Sequence, residues 1–285
     1  MSLYAYRQFI ASERACQRLW QQLRWPQGLR CPACDGRRIW RMREGAQRDY
    51  RCRRCGHHFS DTAGTIFAKT RTPLAKWVLA IGLFRVGISA QGLARELAVG
   101  YKTAWKMCMT LRTAITADPL LERLAGRVEV DETYFGGRQK GKRGRGAAHK
   151  TAVVGLRERA GRVRSLVVPN VTSPTLRAAI RQHVTQGTVV YTDAYTSYAR
   201  VREDGYRHRP LDHRTRFVRG QTHTQSIEGY WGHVKPQLVA RHRSVSPRHL
   251  PQYLAEADFK FNTRNEPDFI GLVLRKLIEP YPLRG

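Results

Sequence analysis

Three carboxylate-bearing strings stand out in a chain that is otherwise short of acid. They are Val128-Glu129-Val130-Asp131-Glu132, Val189-Val190-Tyr191-Thr192-Asp193 and Ile227-Glu228-Gly229-Tyr230-Trp231-Gly232-His233-Val234-Lys235. The first two end apolar runs that read as buried strands, and the third opens a helix-like segment. Against 22 Asp+Glu the chain carries 51 Lys+Arg, a formal net charge of +29. Carboxylates beside apolar runs in so basic a chain predict a divalent metal site. Metal held by carboxylates on a protein that binds a polyanion predicts phosphodiester chemistry. Asp131, Asp193 and Glu228 are the candidate ligands. Mg2+ or Mn2+ suits an all-oxygen set that leaves positions for water and phosphate, and two such ions could be bridged by an aspartate. Without metal the three carboxylates would repel one another, so ion binding is coupled to their ionisation. The bland alternative for Glu228 is an acid favoured at a helix N-terminus by the dipole.

A second set of ligands lies in Cys31-Pro-Ala-Cys34 and Cys52-Arg-Arg-Cys55. Each CxxC turn can present two thiolates to one ion, and the 17 residues between the pairs are enough for a short hairpin. Two such turns predict one structural Zn2+ in a four-cysteine zinc ribbon, with the metal supplying folding energy that so small a core cannot. Rubredoxin-like iron and adventitious turns are the alternatives, and the arginine-rich surroundings argue against iron. Four thiolates already complete the zinc shell, so His57 and His58 read as surface or DNA-facing residues. The remaining cysteines, Cys16 and Cys108, fall in helical patterns and read as core.

The elements that must carry these groups follow from periodicity. A length of 285 residues fits one large domain or two to three small ones, and 41% hydrophobic content excludes a disordered chain. So large a positive charge predicts nucleic acid as partner rather than a membrane surface. No run of 18 apolar residues is present and the N-terminus lacks a signal pattern, so neither a spanning helix nor a leader is expected. An amphipathic helix is expected from Ser12 to about Trp25, where Pro26 ends it. Helices are expected across residues 72–117, beginning at Thr72-Pro73. Within them Leu93, Ala94 and Leu97 face inward, Gly100 suits a turn, and Lys102, Thr103 and Lys106 open a second helix. That pattern predicts a helix-turn-helix DNA reader, against the plainer reading of a packed helical pair.

From Arg127 the pattern becomes β-rich, with short runs at 128–130, 152–156, 163–168 and 189–191. The stretch between the first two, with Arg138, Lys140, Lys142, Arg143 and Arg145 among glycines, reads as a phosphate-contacting loop or a solvated linker. Helices are expected over about 172–186, over 226–234 ahead of Pro236, and over about 247–264. Three strands, a helix, a fourth strand and then helices is the order of a ribonuclease-H-like α/β fold. In that order an acid on the first strand neighbours an acid ending the fourth, and a later helix brings the third. The expected domains are 1–70 (helix and zinc ribbon), 71–118 (helix-turn-helix-like module) and 119–285 (catalytic). On strands, Glu132 points away from Asp131, while Glu129 shares its face two residues back; both read as structural or solvated. Asp204, Asp212 and Asp258 read as surface acids, Trp231 as core, and His223 as a lesser candidate near the site.

These residues resemble the bacterial DDE-type insertion-sequence transposases with an N-terminal zinc ribbon, the fifteen-ninety-five group. The resemblance is carried by Arg24-Trp25-Pro26, the two CxxC turns, Phe59-Ser60, Gly64-Thr65-Ile66-Phe67, Val130-Asp131-Glu132-Thr133-Tyr134-Phe135-Gly136-Gly137, Thr192-Asp193-Ala194-Tyr195 and His223-Thr224-Gln225-Ser226-Ile227-Glu228-Gly229-Tyr230-Trp231 with Lys235, in the family's order over residues 9–262. It implies binding of terminal inverted repeats and target DNA as duplexes, metal-dependent cleavage and strand transfer, and at least a homodimer when two ends are synapsed. The setting it implies is the bacterial cytoplasm, at the nucleoid. It implies that Asp131 and Asp193 bind metal and that Lys235, paired with Glu228 in a Glu-six residues-Lys signature, contacts DNA near the scissile phosphate. Relatives often carry Asn at the place of Gln225, so Gln225 and Glu228 both stand as third catalytic position; the carboxylate is the better Mg2+ ligand. The alternatives are a zinc-ribbon regulator with an inactive catalytic domain and a ribonuclease-H-like nuclease that cuts without joining.

Overall fold

The structure is a computed structural model that describes residues 11–42, 49–68, 70–116, 123–136, 150–159, 161–211 and 224–278. The chain divides into two units, Met1–Ile115 with Glu266–Gly285, and Thr116–Asn265.

In the first unit, α1 (Glu13–Arg24) buries Cys16 and Trp20. The Trp20 ring meets Phe67 edge-on with centroids 4.9 Å apart, and Phe67 meets Trp77 at 4.7 Å. Trp77 belongs to α2 (Leu74–Val86), whose first amides have no intrahelical acceptor. The Glu13 carboxylate supplies one, taking the N–H of Leu74 at 2.8 Å and of Ala75 at 3.0 Å. Next come α3 (Ala90–Leu97) and α4 (Tyr101–Thr116). Ser89 caps α3 by accepting the Gly92 N–H at 3.1 Å. The tight turn between these helices has its left-handed residue at Ala98 (φ 46°), not at Gly100. A last helix, α8 (Phe269–Ile278), packs on α1 and α2. This helix falls within the expected 119–285 span but belongs to the first unit.

The same unit holds a three-stranded antiparallel sheet, β1 (Ile39–Arg41), β2 (Asp49–Cys52) and β3 (His58–Ser60). One face buries Tyr50, Cys52 and Phe59. Asp61 ties this sheet to α1: it accepts from the Tyr50 hydroxyl at 3.0 Å and from Trp25 Nε1 at 3.0 Å, while its carbonyl takes Trp20 Nε1 at 2.9 Å.

The second unit is built on a five-stranded sheet in the order β6-β5-β4-β7-β8, with β4 (Arg127–Phe135), β5 (Thr151–Glu158), β6 (Val163–Val168), β7 (Val189–Asp193) and β8 (Arg207–Leu211). The first three pair antiparallel, and β7 and β8 run parallel to β4. Alternation along the strands sends Val128, Val130, Val154 and Leu156 to one face, under Leu176 and Ile180 of α5 (Ser173–His183). Val153 and Val163 go to the other face, under Ile227, Tyr230 and Trp231 of α6 (Gln225–His242) and Leu250 and Leu254 of α7 (Leu250–Asn262). The unit is therefore an α/β layered domain with helices on both faces.

Four sequence expectations need correction. Strand β8 was not anticipated, because Arg207-His208-Arg209-Pro210-Leu211 is too polar to read as a strand; it lies at the sheet edge, where charge and proline are tolerated. Helix α6 does not stop before Pro236 but continues to His242 with the proline inside it. The surface reading of Asp258 fails. It is buried, accepting the Ser165 N–H at 2.6 Å, the Ser165 hydroxyl at 2.7 Å and the Tyr230 hydroxyl at 2.5 Å. Asp204 likewise is held by Arg177 at 2.6 Å and Arg181 at 3.0 Å with its side chain 8% exposed. Asp212 lies outside the described residues.

Candidate active site

Asp131 lies near the middle of β4, on the face that α6 covers, since Val128 and Val130 point to the other side. Strands β4 and β7 pair parallel with Glu129 opposite Tyr191. The pairing ends there; Asp131 and Asp193, the last residue of β7, each follow two residues on, on the face that Glu129 and Tyr191 share. The backbone turns after it, and the Tyr195 N–H donates to Asp193 Oδ1 at 3.1 Å. Glu228 lies in the first turn of α6 and is exposed. The buried Thr224 hydroxyl donates to its Oε1 at 2.6 Å. Lys235, two helical turns on, presents Nζ 5.7 Å from the centroid of the Phe135 ring at the end of β4.

The electrostatics show that these groups share one locale. Burial pushes the Asp131 carboxyl up to about 7, reinforced by the negative charges of Glu132, Asp193 and Glu228. Lys235 is pulled below its ordinary range by burial and by Lys150, and the negative charge of Asp131 opposes that shift. The charges of Asp193 and Glu228 are therefore felt at Asp131, and that of Asp131 at Lys235, on the side of the sheet that α6 covers. Gln225 is exposed one turn before Glu228. The acids are not drawn into a closed cluster: among the described residues, only the four cysteines put three or more ligand atoms all within 4.8 Å of one another. A carboxyl held near 7 by burial and then by its acidic neighbours is a donor that a divalent cation would ionise, and the all-oxygen set fits Mg2+ or Mn2+.

What brings α6 so close to the sheet is Gly155, the partner of Asp131 across β4 and β5. A Cβ there would run into the Trp231 ring and come to 2.8 Å from Ile227 Cδ1. Glycine in a strand interior often marks such an approach, so this signal was present in the sequence and went unread. Glu132 faces the other side, as expected, where the buried Tyr198 hydroxyl donates to it at 2.7 Å. Glu129 is fully buried and ion-paired to Arg159 at 2.8 Å, which makes it structural rather than solvated.

The four cysteines converge as expected. Cys31 and Cys55 sulfurs are 3.6 Å apart, as are those of Cys34 and Cys52. A tetrahedral zinc with bonds of about 2.3 Å needs sulfurs about 3.8 Å apart, so the cage fits the ion. Each CxxC turn closes alike, with the N–H of the next residue bonded to the first cysteine's carbonyl: Asp35 to Cys31 at 2.9 Å and Gly56 to Cys52 at 2.9 Å. Both residues take positive φ, 54° and 74°. His57 and His58 are exposed outside the cage.

On α4, Lys102, Thr103 and Lys106 are exposed beside Tyr101 and Trp105, while Ala104 and Met107 are buried. The ribbon sheet also has an outer face that sequence reasoning missed. Trp40 (55% exposed), Arg51 and His58 lie in one row across its three strands, with Met42 beside them. Arg138, Lys140, Lys142, Arg143, Arg145 and His223 lie outside the described residues.

Comparisons with known proteins identify the family. The model of the ISXO2-like transposase domain matches residues 123–262, and that of the transposase zinc-ribbon domain matches residues 11–58. An uncharacterized protein in transposable element ISH50 of Halobacterium salinarum is 30% identical over 268 residues, which is 86% of this chain and 89% of that protein. An uncharacterized transposase-like protein of Haemophilus influenzae is 30% identical over 118 residues, 41% of this chain and 94% of its own length. Among solved structures, the Mos1 Strand Transfer Complex aligns at 13% identity with a TM-score of 0.31, covering 71% of this chain and 74% of that one; no residue is carried over at that likeness. The kinship to the ISH50 protein over most of both lengths, with both domain matches in order, places the chain in the fifteen-ninety-five group of DDE-type insertion-sequence transposases that carry an N-terminal zinc ribbon.

Proposed function

We propose that this transposase binds the terminal inverted repeats of its own insertion sequence and catalyses metal-dependent hydrolysis and strand transfer on a ribonuclease-H-like domain. The observation that carries the reading is that Asp131 and Asp193 follow the Glu129–Tyr191 register of neighbouring parallel strands by two residues, with the charges of Asp193 and Glu228 both felt at Asp131. The strand order β6-β5-β4-β7-β8 supports the ribonuclease-H-like assignment. Asp131, Asp193 and Glu228 are the residues that would hold two Mg2+ or Mn2+ ions. When bound, such ions supply activation of a water or 3′ hydroxyl and stabilisation of the leaving 3′ oxygen. Glu228 is preferred to Gln225 as third ligand because its charge is felt at Asp131 and an amide brings none. Lys235, beside Asp131 and two turns from Glu228, is placed to meet a phosphate oxygen next to the reacting one.

Recognition is assigned to the N-terminal unit. Helix α4 offers Lys102, Thr103 and Lys106 on one open face after a tight turn from α3, which supports a helix-turn-helix reader of duplex DNA. The ribbon, folded around one zinc, adds arginines and Trp40. Joining two ends calls for two active sites, so the working form is at least a homodimer. No helix among the described residues is long and apolar enough to cross a membrane, and the proposed setting is the bacterial cytoplasm at the nucleoid. The test is cleavage of DNA bearing the element's own repeats in Mg2+. Asp193→Asn should bind those ends and leave them uncut; normal cutting by that variant would overturn the site.

A further inference from the structure

Glu129 lies two residues before Asp131 on the same face of β4, and it is fully buried. A carboxylate out of water is costly unless it is both paired and hydrogen-bonded. Arg159, just past β5, donates from Nε to Glu129 Oε1 at 2.8 Å. The other oxygen, Oε2, accepts the backbone N–H of Ile227 at 3.0 Å. Ile227 is in the first turn of α6, where amides have no acceptor within the helix and the dipole favours negative charge. The next residue is Glu228. The Arg159 guanidinium also lies 3.8 Å from the centroid of the Tyr191 ring, two residues before Asp193 on β7. A second arginine, Arg157 of β5, donates to the Ser226 carbonyl. One buried pair thus touches each element that carries a candidate ligand: β4, β7 and α6.

We propose that Glu129 is a positioning residue, whose pair with Arg159 fixes the first turn of α6 against the sheet and so sets Glu228 relative to Asp131 and Asp193. The inference rests on the three-carboxylate reading given above. Stability alone does not account for such a pair, because apolar residues of similar volume often serve a core as well or better. What apolar residues cannot supply is an acceptor, two residues from Asp131, aimed at one particular amide, one residue from Glu228.

The test compares two neutral double variants of the full-length zinc-loaded chain. Glu129→Gln with Arg159→Met keeps an acceptor for the Ile227 N–H; Glu129→Leu with Arg159→Met removes it. The readouts are Mn2+ affinity by electron paramagnetic resonance without DNA, and amide hydrogen exchange of residues 225–229, both at a temperature where circular dichroism shows full folding. The Gln pair should hold Mn2+ within about threefold of the parent and exchange slowly. The Leu pair should lose about 10–100-fold in affinity, the range for removal of a group that orients a ligand, and exchange faster. Equal affinities in the two variants would overturn the inference. If the Leu pair does not fold, Glu129→Asp serves instead: it keeps a charge for Arg159 but is one methylene short of Ile227, and undiminished Mn2+ binding by it overturns the inference equally. Asp193→Asn is the reference. If it binds Mn2+ like the parent, the carboxylate site itself is wrong; if it does not and the two double variants match, only the role of Glu129 is.

Discussion

At the scale of single residues, the site depends on an atom that is missing. Gly155 stands opposite Asp131, and its lack of a Cβ lets the Trp231 ring lie on the sheet. Gly155→Ala therefore forces the ring and Ile227 outward. Overpacking of this kind costs about 1–3 kcal/mol, and here it also lifts the helix that bears Glu228. The expected outcome is a lower denaturation midpoint for Gly155→Ala, partly restored when Trp231→Phe is added, as a coupling in a double-mutant cycle. A midpoint equal to the parent's would show that the helix does not rest on this contact. The two aspartates were legible in the sequence because each ends or interrupts an apolar run in a chain poor in acid. Glu129 and Asp258 were not, because an acid's burial depends on partners distant in the chain: Arg159 and Ile227 for one, Ser165 and Tyr230 for the other. Spacing along one strand cannot reveal such partners.

At the scale of elements, legibility followed burial. Strands β4 to β7 bury Val, Leu and Ala and were visible as apolar runs; β8 sits at the edge, mostly polar, and its place is set by pairing to β7. The two CxxC turns were the plainest signal, because ligand spacing is local. Cys52→Ser should reduce zinc from about one ion per chain to none and unfold the ribbon, with β1 to β3 losing amide protection. Retention of stoichiometric zinc by that variant would mean the cage is not these four sulfurs. Helix α4 supports a second expectation. Lys102 and Lys106 are exposed on one face, and on the proposed reading each meets a phosphate. Replacing either by Ala should weaken binding of all duplexes alike and reduce the slope of log affinity against log salt by about one. An unchanged slope would turn α4 away from the DNA. The same helix face carries Tyr101 and Trp105, which periodicity alone would have assigned to packing.

At the scale of the whole molecule, a net charge of +29 suits DNA but opposes compactness, and acid adds to it. Two histidines of the catalytic unit determine how. His208 is 4% exposed on β8, in hydrogen-bond contact with Thr192 at 2.9 Å. Burial, with the charge of Arg202, pulls it down to about 4. His183, at the end of α5, is pulled down to about 4 by burial and by the charges of Arg164 and Arg123. Both folded values lie below the ordinary 6.5 of the unfolded chain, so the neutral form belongs to the fold. Their contribution is complete above about pH 6.5 and is lost as pH falls toward 4, where the unfolded chain binds the protons first. For His208 the loss is about 2–3 kcal/mol, a large share of the stability of an ordinary domain. The Asp131 carboxyl runs the other way. Its raised value favours the metal-free fold at low pH and weakens it as pH climbs through about 7. Two histidines outweigh one carboxylate over the window they share, so metal-free stability should climb with pH and level off near pH 7. Thermal unfolding followed from pH 4.5 to 8 should show that rise and plateau. His208→Gln, which keeps a polar group near Thr192 but takes up no proton, should flatten the acid limb by about one proton's slope, roughly 1.4 kcal/mol per pH unit at its steepest. An acid limb just as steep in that variant would mean that His208 does not stay neutral in the fold, and that the loss at low pH comes from His183 and charge repulsion instead.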